Sequence, residues 1–387
     1  MTHHTRTEYT RLLQGRYTNA AGKGERSRLL DEYCRMTGLH RKAAIRRLRG
    51  RRRRGGGRRG RPRRYGPDLS PLVARLWEIA DRPCGMLLAA VLPTLLPALE
   101  QHGALRLRVA QRAALLTMSP ATLDRVLRPV RARRAAARPG RRAPTALATQ
   151  VPIRTWGDWK GVRPGAVQAD LVLHCGPSTA GFYLSTLVAV DVATGWVELE
   201  PVWGLTQEHV RAAVARLLRR TPHPVHHWHT DNDVAFLNGP LLDYCRRHGI
   251  TVSRGRGYRK NDQAYVEQRN WFAVRRLVGR DRYISRAAFH LFRRLYPLLR
   301  VQLNFLRPLR KLAARRRVGA RTRKRYDPAA TPYQRLLAAG VLTPAQRGAL
   351  ADQFRAVNPA TLAAQIQTCL DTLWRLAERP SATTALG

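Results

Sequence analysis

The stretch His-Trp-His-Thr-Asp-Asn, residues 227–232, places a carboxylate, Asp231, at the end of a short strand pattern. A second carboxylate, Asp170, interrupts an apolar run, and a third, Glu267, lies in the helical stretch 261–271. Thirty-five residues lie between Asp231 and Glu267. Carboxylates on separate elements can converge on two divalent cations, and such paired cations serve phosphodiester chemistry.

The elements around these carboxylates predict the fold. Three strands are followed in turn by a helix, a strand, a helix, a strand and a long helix. This order predicts an α/β domain with a mixed five-stranded sheet, as expected of a ribonuclease-H-like fold. The strand patterns are at 166–174, 182–190, 196–202, 225–229 and 250–253, and the helical patterns are at 206–219, 237–248 and 261–278.

The three carboxylates are candidate metal ligands. Asp170 lies in the middle of its strand, where an acid is costly unless it is paired or bound to a metal. In the predicted order Asp231 leaves a neighbouring strand, and Glu267 lies on the helix after the last strand, so all three can meet at one edge of the sheet. Oxygen ligands suit Mg²⁺ or Mn²⁺, and two ions are expected.

Other polar residues of this region have simpler interpretations. Asp191 is followed by Ala-Thr-Gly and is predicted to be a turn residue, and Asp233 is read in the same way. Alternation places His227 and His229 on one face of a strand, but no cysteine lies beside them to complete a zinc site. In the strand at 196–202, alternation predicts that the glutamates at positions 198 and 200 face outward.

The charge balance indicates a polyanionic partner. The chain has 71 Lys and Arg against 25 Asp and Glu, a net charge of +46. Nucleic acid is favoured over a membrane, because the longest apolar stretch, 86–99, contains Pro93 and Pro97 and is too short to span a bilayer.

The first residues are polar and basic, so no signal peptide is expected and a cytoplasmic, nucleoid-associated location is predicted. The five cysteines are scattered and are expected to be reduced thiols.

The N-terminal third is predicted to be helical and to bind DNA. A helix, a turn at Thr37-Gly38-Leu39 and a short basic helix make a helix-turn-helix pattern. A linker of Arg and Gly follows, and a second helix-turn-helix pattern is centred on Thr117 to Pro120. The predicted DNA contacts of the first basic helix are Arg41, Lys42, Arg46 and Arg47.

The region after the predicted sheet is basic and mainly helical. Residues 307–325 form a second basic run. An apolar stripe is predicted on the last helix, formed by Leu362, Ile366, Leu370, Leu373 and Ala377. This stripe is expected to pack against its own domain. The predicted regions are 1–50 (helix-turn-helix), 51–66 (basic linker), 67–133 (second helical DNA-binding unit), 134–160 (linker), 161–300 (catalytic core) and 301–387 (C-terminal region).

The segment from about 151 to 337 resembles the integrase-core transposases of bacterial insertion sequences. These belong to the Asp-Asp-Glu superfamily that includes retroviral integrases. The spacing of Asp231 and Glu267 is the family's Asp-35-Glu arrangement. The other matching stretches are Val-Pro-Ile-Arg-Thr-Trp-Gly-Asp-Trp (151–159), Ala-Asp-Leu-Val-Leu-His-Cys-Gly (169–176), Asp-Val-Ala-Thr-Gly-Trp (191–196), Thr-Gln-Glu-His-Val (206–210), Tyr-Arg-Lys-Asn-Asp-Gln-Ala-Tyr-Val-Glu-Gln-Arg-Asn-Trp (258–271) and Lys-Arg-Tyr-Asp-Pro-Ala-Ala-Thr-Pro-Tyr-Gln-Arg-Leu-Leu (324–337).

The resemblance implies that Asp170, Asp231 and Glu267 are the catalytic ligands of Mg²⁺. It also implies cleavage at the ends of a DNA element, joining of the 3′-hydroxyl to target double-stranded DNA, and a homo-oligomer that holds two ends together. The residues just before Glu267 contact DNA in the family, and helical spacing adds Asn270. These predicted contacts are Tyr258, Arg259, Lys260, Asn261 and Asn270.

The chain departs from the family after the second Asp. Where the family has Asn-Gly-Ser-Glu-Phe, this chain has Asn-Asp-Val-Ala-Phe at 232–236, which adds the carboxylate of Asp233 beside the predicted metals. Two alternatives to a transposase remain. One is a catalytically decayed DNA-binding protein or repressor, and the other is a nuclease that cuts without joining.

Overall fold

The computed structural model describes residues 3–49, 65–66, 68–135, 159, 161–231, 233, 235–255, 264–318 and 321–378. The chain divides into two compact units, 1–64 and 65–387. The finer division into regions with separate roles stays a prediction. No helix of the described residues is long and apolar enough to cross a bilayer.

The first unit is a bundle of three helices. These are α1 (His3–Asn19), α2 (Lys23–Thr37) and α3 (Arg41–Leu48). The predicted turn is present: Gly38 ends α2 with φ +68°, a left-handed conformation that suits glycine, and the side chain of His40 accepts a hydrogen bond from the amide of Lys42 at the start of α3. The inward face of α3 buries Ala44 and Leu48 against the other two helices. The predicted helix, turn and basic helix are therefore present, and their role as a helix-turn-helix stays a prediction.

A five-stranded mixed sheet lies at the centre of the second unit. Its strands are β1 (Ala166–Leu173), β2 (Ser185–Asp191), β3 (Val197–Val202), β4 (His227–Thr230) and β5 (Thr251–Arg254). Their order across the sheet is β3-β2-β1-β4-β5, with β1, β2 and β3 antiparallel and β1, β4 and β5 parallel. The element order and the mixed sheet of the ribonuclease-H-like fold are as predicted.

Helices cover both faces of this sheet because its strands are apolar on both sides. On one face, Val167, Ala169 and Leu171 of β1 pack against α8 (Gln207–Arg220) and α9 (Gly239–Arg247). The opposite face of the sheet packs against the helices of the C-terminal half. These include α10 (Ala264–Arg269), a π-helical segment (Asn270–Arg275), α11 (Arg276–Val278) and α12 (Arg286–Val301). The predicted helix 261–278 is thus interrupted by a π-helical segment, and Asn261, its expected cap, lies outside the described residues.

The predicted outward orientation of Glu198 and Glu200 is wrong. Both side chains are buried, with 3% and 8% of the side chain exposed. Arg220 of α8 pairs with both, and Arg300 of α12 pairs with Glu198 at 2.7 Å. An edge strand can bury its acids when helices supply guanidinium groups, and the alternation pattern of a single strand carries no information about those partners.

A helical region precedes the sheet and packs onto the same unit. It comprises α4 (Leu69–Ile79), α5 (Gly85–Gln101), α6 (Val109–Thr117) and α7 (Pro120–Ala135) around a leucine-rich core. The predicted cap is present, since Ser119 accepts a hydrogen bond from the amide of Thr122. The buried carboxylate of Asp81, in the turn after α4, bonds to Arg276 and Arg307. This ion-pair set ties the helical region to the helices that cover the sheet.

The C-terminal part is mainly helical, as predicted, but it begins with a β-hairpin that the sequence did not predict. Strands β6 (Leu312–Val318) and β7 (Arg321–Tyr326) form a two-stranded antiparallel sheet from the basic run. Helices α13 (Pro332–Ala338), α14 (Pro344–Arg355) and α15 (Pro359–Arg375) follow. The apolar stripe of α15 packs into the core beside α12, as expected.

Candidate active site

The register of the parallel strands brings Asp170 and Asp231 together. Gln168 of β1 is opposite His229 of β4. Because the two strands are parallel, the residues two positions later, Asp170 and Asp231, lie beside each other. Asp170 is in the middle of β1, whereas β4 ends at Thr230, just before Asp231. Alternation places Asp170 on the face of the sheet that α10 covers, since its neighbours Ala169 and Leu171 pack on the opposite face.

Glu267 approaches the same point from α10. Val266 is fully buried, and its amide donates to Oε1 of Gln168 at 3.3 Å, which fixes the helix over β1. Asn270 lies one turn after Glu267 on the same helical face, and its side-chain amide donates to Oδ2 of Asp170. Glu267 is exposed and near enough for its charge to raise the pKa of Asp170.

Backbone groups hold the two aspartates in place. The amide of Leu171 donates to Oδ1 of Asp170 at 2.8 Å, and the amide of Asp233 donates to Oδ1 of Asp231 at 3.0 Å. The π-helical segment starts at Asn270, where the helix meets Asp170. Such local widening of a helix is frequent at functional sites.

The environment of Asp170 and Asp231 disfavours their charged forms. Burial, followed by the charge of Asp231, raises the pKa of Asp170 to about 7. Burial also raises the pKa of Asp231, and the nearby Asp233 charge adds to this shift. A carboxylate with a raised pKa is one that the protein alone stabilises poorly in its charged form.

The oxygen donors of this site are of the type that a hard divalent cation prefers. Among the described residues, Oδ1 of Asn270 is buried beside Asp170 without a hydrogen-bond partner, and a cation near the two aspartates would relieve their repulsion. The three carboxylates are not close together, however. Within the described ranges, no group of three or more Asp, Glu, His or Cys side chains is close enough to hold a metal ion. The structure thus brings Asp170 and Asp231 together and leaves Glu267 at the rim.

We expect Asp170→Asn to stabilise the metal-free protein at alkaline pH. Because folding raises the pKa of this acid from 3.8 to about 7, its charged form opposes folding increasingly as the pH rises through that window. The variant should gain on the order of 2 kcal/mol at pH 8 and little near pH 4. Thermal unfolding in the presence of a chelator at several pH values measures this gain.

The matched control is Asp371→Asn, which removes the same charge from an exposed position on α15. It corrects for the general effect of one less negative charge on a strongly basic chain. Equal melting temperatures for the two variants at pH 8 would show that the charged carboxylate of Asp170 does not destabilise the folded protein.

The alternative ligands have structural roles. Asp191 accepts hydrogen bonds from the amide and hydroxyl of Thr194, and Asp233 accepts one from the amide of Ala235 at 2.9 Å, so both are turn residues as predicted. His227 and His229 are buried on one face of β4, as alternation predicted. Both share the hydroxyl of Ser253, at 2.7 and 2.8 Å.

The predicted DNA contacts fall into three groups. Tyr258, Arg259, Lys260 and Asn261 lie outside the described residues. Asn270 directs its amide to Asp170, and its contact with DNA stays a prediction. On α3 the four predicted side chains are exposed, but the guanidinium of Arg41 pairs with Asp31 of α2. All four stay predicted contacts.

Two residues of the site were missed at the level of sequence. Gln168 holds α10 through the amide of Val266, and its signal was a second polar residue in the apolar run of β1. Arg275, at the end of the π-helical segment, is close enough to Asp170 for their charges to interact, although burial lowers the pKa of its guanidinium. The sequence could not predict this interaction, because a single arginine in a basic helix does not differ in pattern from its basic neighbours.

Part of the chain matches a known protein family. Residues 163–260 match the family model described as integrase core domain. A curated relative, the Uncharacterized protein y4rM of Sinorhizobium fredii (strain NBRC 101917 / NGR234), is 42% identical over 335 residues, which cover 86% of this chain and 95% of that protein.

Two solved structures are also similar to this chain. One is the catalytic core domain of BIV integrase (TM-score 0.31, 23% identity), covering 46% of this chain and 95% of that chain. The other is the HTLV-2 integrase catalytic core domain in complex with magnesium, in dimeric form (TM-score 0.30, 18% identity), covering 39% and 93%. Both TM-scores are below 0.5, so neither likeness bears on the function of this chain.

Proposed function

Since the chain belongs to the integrase-core superfamily of Asp-Asp-Glu proteins, we propose that it is a DNA transposase. Membership supports a polynucleotidyl-transferase activity of the integrase kind. The proposed reaction cuts the ends of a DNA element and joins the freed 3′-hydroxyl to target DNA. The observation that supports it most directly is the juxtaposition of Asp170 and Asp231, with Glu267 within electrostatic reach.

In this proposal Asp170, Asp231 and Glu267 hold Mg²⁺ or Mn²⁺, with two ions expected. When bound, such paired ions stabilise the attacking and the leaving oxygen of the phosphodiester. The chain's own groups orient the ligands: the amides of Leu171 and Asp233 and the side chain of Asn270 fix the directions of the two aspartates. Because Glu267 is exposed, it is the ligand most able to adjust when DNA and metal bind.

Duplex DNA is the proposed partner of the N-terminal helical regions. The basic helix α3 carries the predicted contacts of the first helix-turn-helix. In the second, α7 exposes Arg125 and Arg128, whose i, i+3 spacing places them on one face. A homo-oligomer on DNA is proposed as well, because joining requires two element ends at one place.

A strand-transfer assay tests the proposed function. The substrate is a duplex that carries the inverted repeat flanking the coding region, and the reaction contains Mg²⁺ and a target duplex. We expect covalently joined products from the wild-type chain. Cleavage without joining would replace the transposase with a nuclease, and DNA binding without either reaction would favour a catalytically decayed DNA-binding protein.

A further inference from the structure

In the hairpin of β6 and β7, which we call the basic ribbon, arginines of the two strands face each other. Arg316 of β6 is directly across from Arg323 of β7, and Ala314 is across from Arg325. Residues that face each other across two strands share one face, and the period of two adds every second residue to that face. Three exposed arginines, Arg316, Arg323 and Arg325, therefore lie on one side of this basic ribbon.

This arrangement is unfavourable for the protein alone. Like charges directly opposite one another repel, and a two-stranded hairpin is only marginally stable in water. Within the described part of the chain, none of the three guanidinium groups has a carboxylate at ion-pair distance. Elsewhere in the same unit, arginines such as Arg220 and Arg300 are paired with buried glutamates. The ribbon thus concentrates positive charge that a polyanion would neutralise.

The base of the ribbon is firmly held. Asp327, just after β7, accepts from the amide of Lys311 and from Arg335, both at 2.6 Å. The Lys311 ammonium donates to the carbonyl groups of Val192 and Ala193, at 2.7 Å each, in the turn between β2 and β3. A change of register between Leu312 and Ala314 marks a bulge at this base, and bulges bend a hairpin.

The same turn connects the ribbon to the candidate active site. Leu309, before β6, packs so closely on Gly195 that a Cβ atom there would lie 2.6 Å from it. Arg269, two residues after Glu267, donates to the carbonyl of Gly195 at 3.3 Å. The ribbon base and the helix that carries Glu267 therefore meet at one turn of the sheet.

We propose that the basic ribbon binds the phosphate backbone of the duplex DNA on which the active site acts. The inference rests on the proposed function for the identity of the polyanion. A two-stranded ribbon has dimensions that the major groove admits, and arginine pairs with phosphate through a planar fork of donors. Attachment at Gly195 and Lys311 would hold the bound duplex in a constant position relative to the carboxylates.

The test is the salt dependence of binding to a duplex of unrelated sequence, measured by fluorescence anisotropy with the full chain in a chelator. The ribbon variant replaces Arg316, Arg323 and Arg325 by Ala. The matched control replaces three exposed arginines of α14 and α15, Arg347, Arg355 and Arg375, so that both lose three charges. A third variant replaces the ribbon arginines by Lys, which keeps the charge.

We expect the ribbon variant to reduce the slope of log K against log salt by about 2–3 and to bind about 10–100-fold more weakly at 0.1 M salt. The Lys variant should restore the slope, and the control should match the wild type. Without DNA, the ribbon variant should melt no lower than the control, because it loses cross-strand repulsion.

Several outcomes would overturn the inference. These are equal slopes for ribbon and control variants, a slope that Lys does not restore, no DNA binding by the wild type, or a deficit only on vesicles of anionic lipid. Because DNA binding is measured without metal, a failure of the proposed catalytic function can be distinguished from a failure of this inference. A wild-type chain that binds through the ribbon but never joins DNA refutes the transposase alone, whereas a chain that joins DNA with an inert ribbon refutes this inference alone.

Discussion

Replacing Asp231 by Asn is expected to lower DNA cleavage and joining by at least about 10³-fold, the scale on which loss of one member of a catalytic unit acts. Asp231 ends β4 beside Asp170, and the amide of Asp233 already holds its carboxylate in place. The substitution keeps the size and shape of the side chain and removes the charge that would bind a cation. Gel assays of cleaved and joined products measure the loss.

The neighbouring Asp233 provides the matched control. Asp233→Asn makes the same chemical change two residues away, and its amide oxygen can still accept the hydrogen bond from Ala235. We expect this variant to keep most of its activity, and both variants to keep metal-free DNA binding. Equal losses would move Asp233 into the catalytic set, and full activity in Asp231→Asn would remove Asp231 from it.

The second large effect is on stability: Glu198→Ala should cost about 3–5 kcal/mol in the free energy of unfolding. Glu198 is buried between Arg220 and Arg300, each at 2.7 Å, and also accepts from the indole of Trp196 at 2.8 Å. Burial lowers the pKa of Arg220, but the charges of Glu198 and Glu200 outweigh this and raise it. The truncation leaves the partly buried guanidinium of Arg300 without its counter-charge and leaves Arg220 with Glu200 as its counter-charge.

An exposed ion pair supplies the comparison. Asp352 and Arg355 on α14 are 68% and 69% exposed, so Asp352→Ala should cost less than about 1 kcal/mol. Urea unfolding followed by circular dichroism gives both values under the same conditions. Similar costs for the two variants would show that burial does not distinguish these ion pairs.

Much of the core was predictable because its signals are local. The apolar runs of β1 and β2, the helix between β3 and β4, and the turn at Asp191 each follow from residues near in sequence. The helix-turn-helix was predictable for the same reason, since Gly38 and the apolar positions of α3 suffice to define it. The predicted placement of the trio depended on strand order, and the register of β1 and β4 agrees with it for the two aspartates.

The errors concern partners that are distant in the chain. Arg220 and Arg300 come to Glu198 from two helices, so no pattern within β3 could distinguish a buried acid from an exposed one. The hydrogen bond from Asn270 to Asp170 could not be predicted from the sequence, because the two residues lie one hundred positions apart, and the contact of Asn270 with DNA stays a prediction. The sequence of β6 and β7 shows only a basic run, because repeated arginine hides the alternation that marks a strand.

By itself, the sequence determined the order of strands and helices, the strong positive charge and the identities of the three candidate ligands, because periodicity, composition and residue type are properties of the chain. Only the tertiary structure decided which charges are neutralised. It buries Glu198 among arginines, directs Asn270 to Asp170 and leaves the arginines of the basic ribbon facing one another. The physical reason is that the energy of a charge depends on its burial and on its neighbours in space, and these are set by pairing between distant segments.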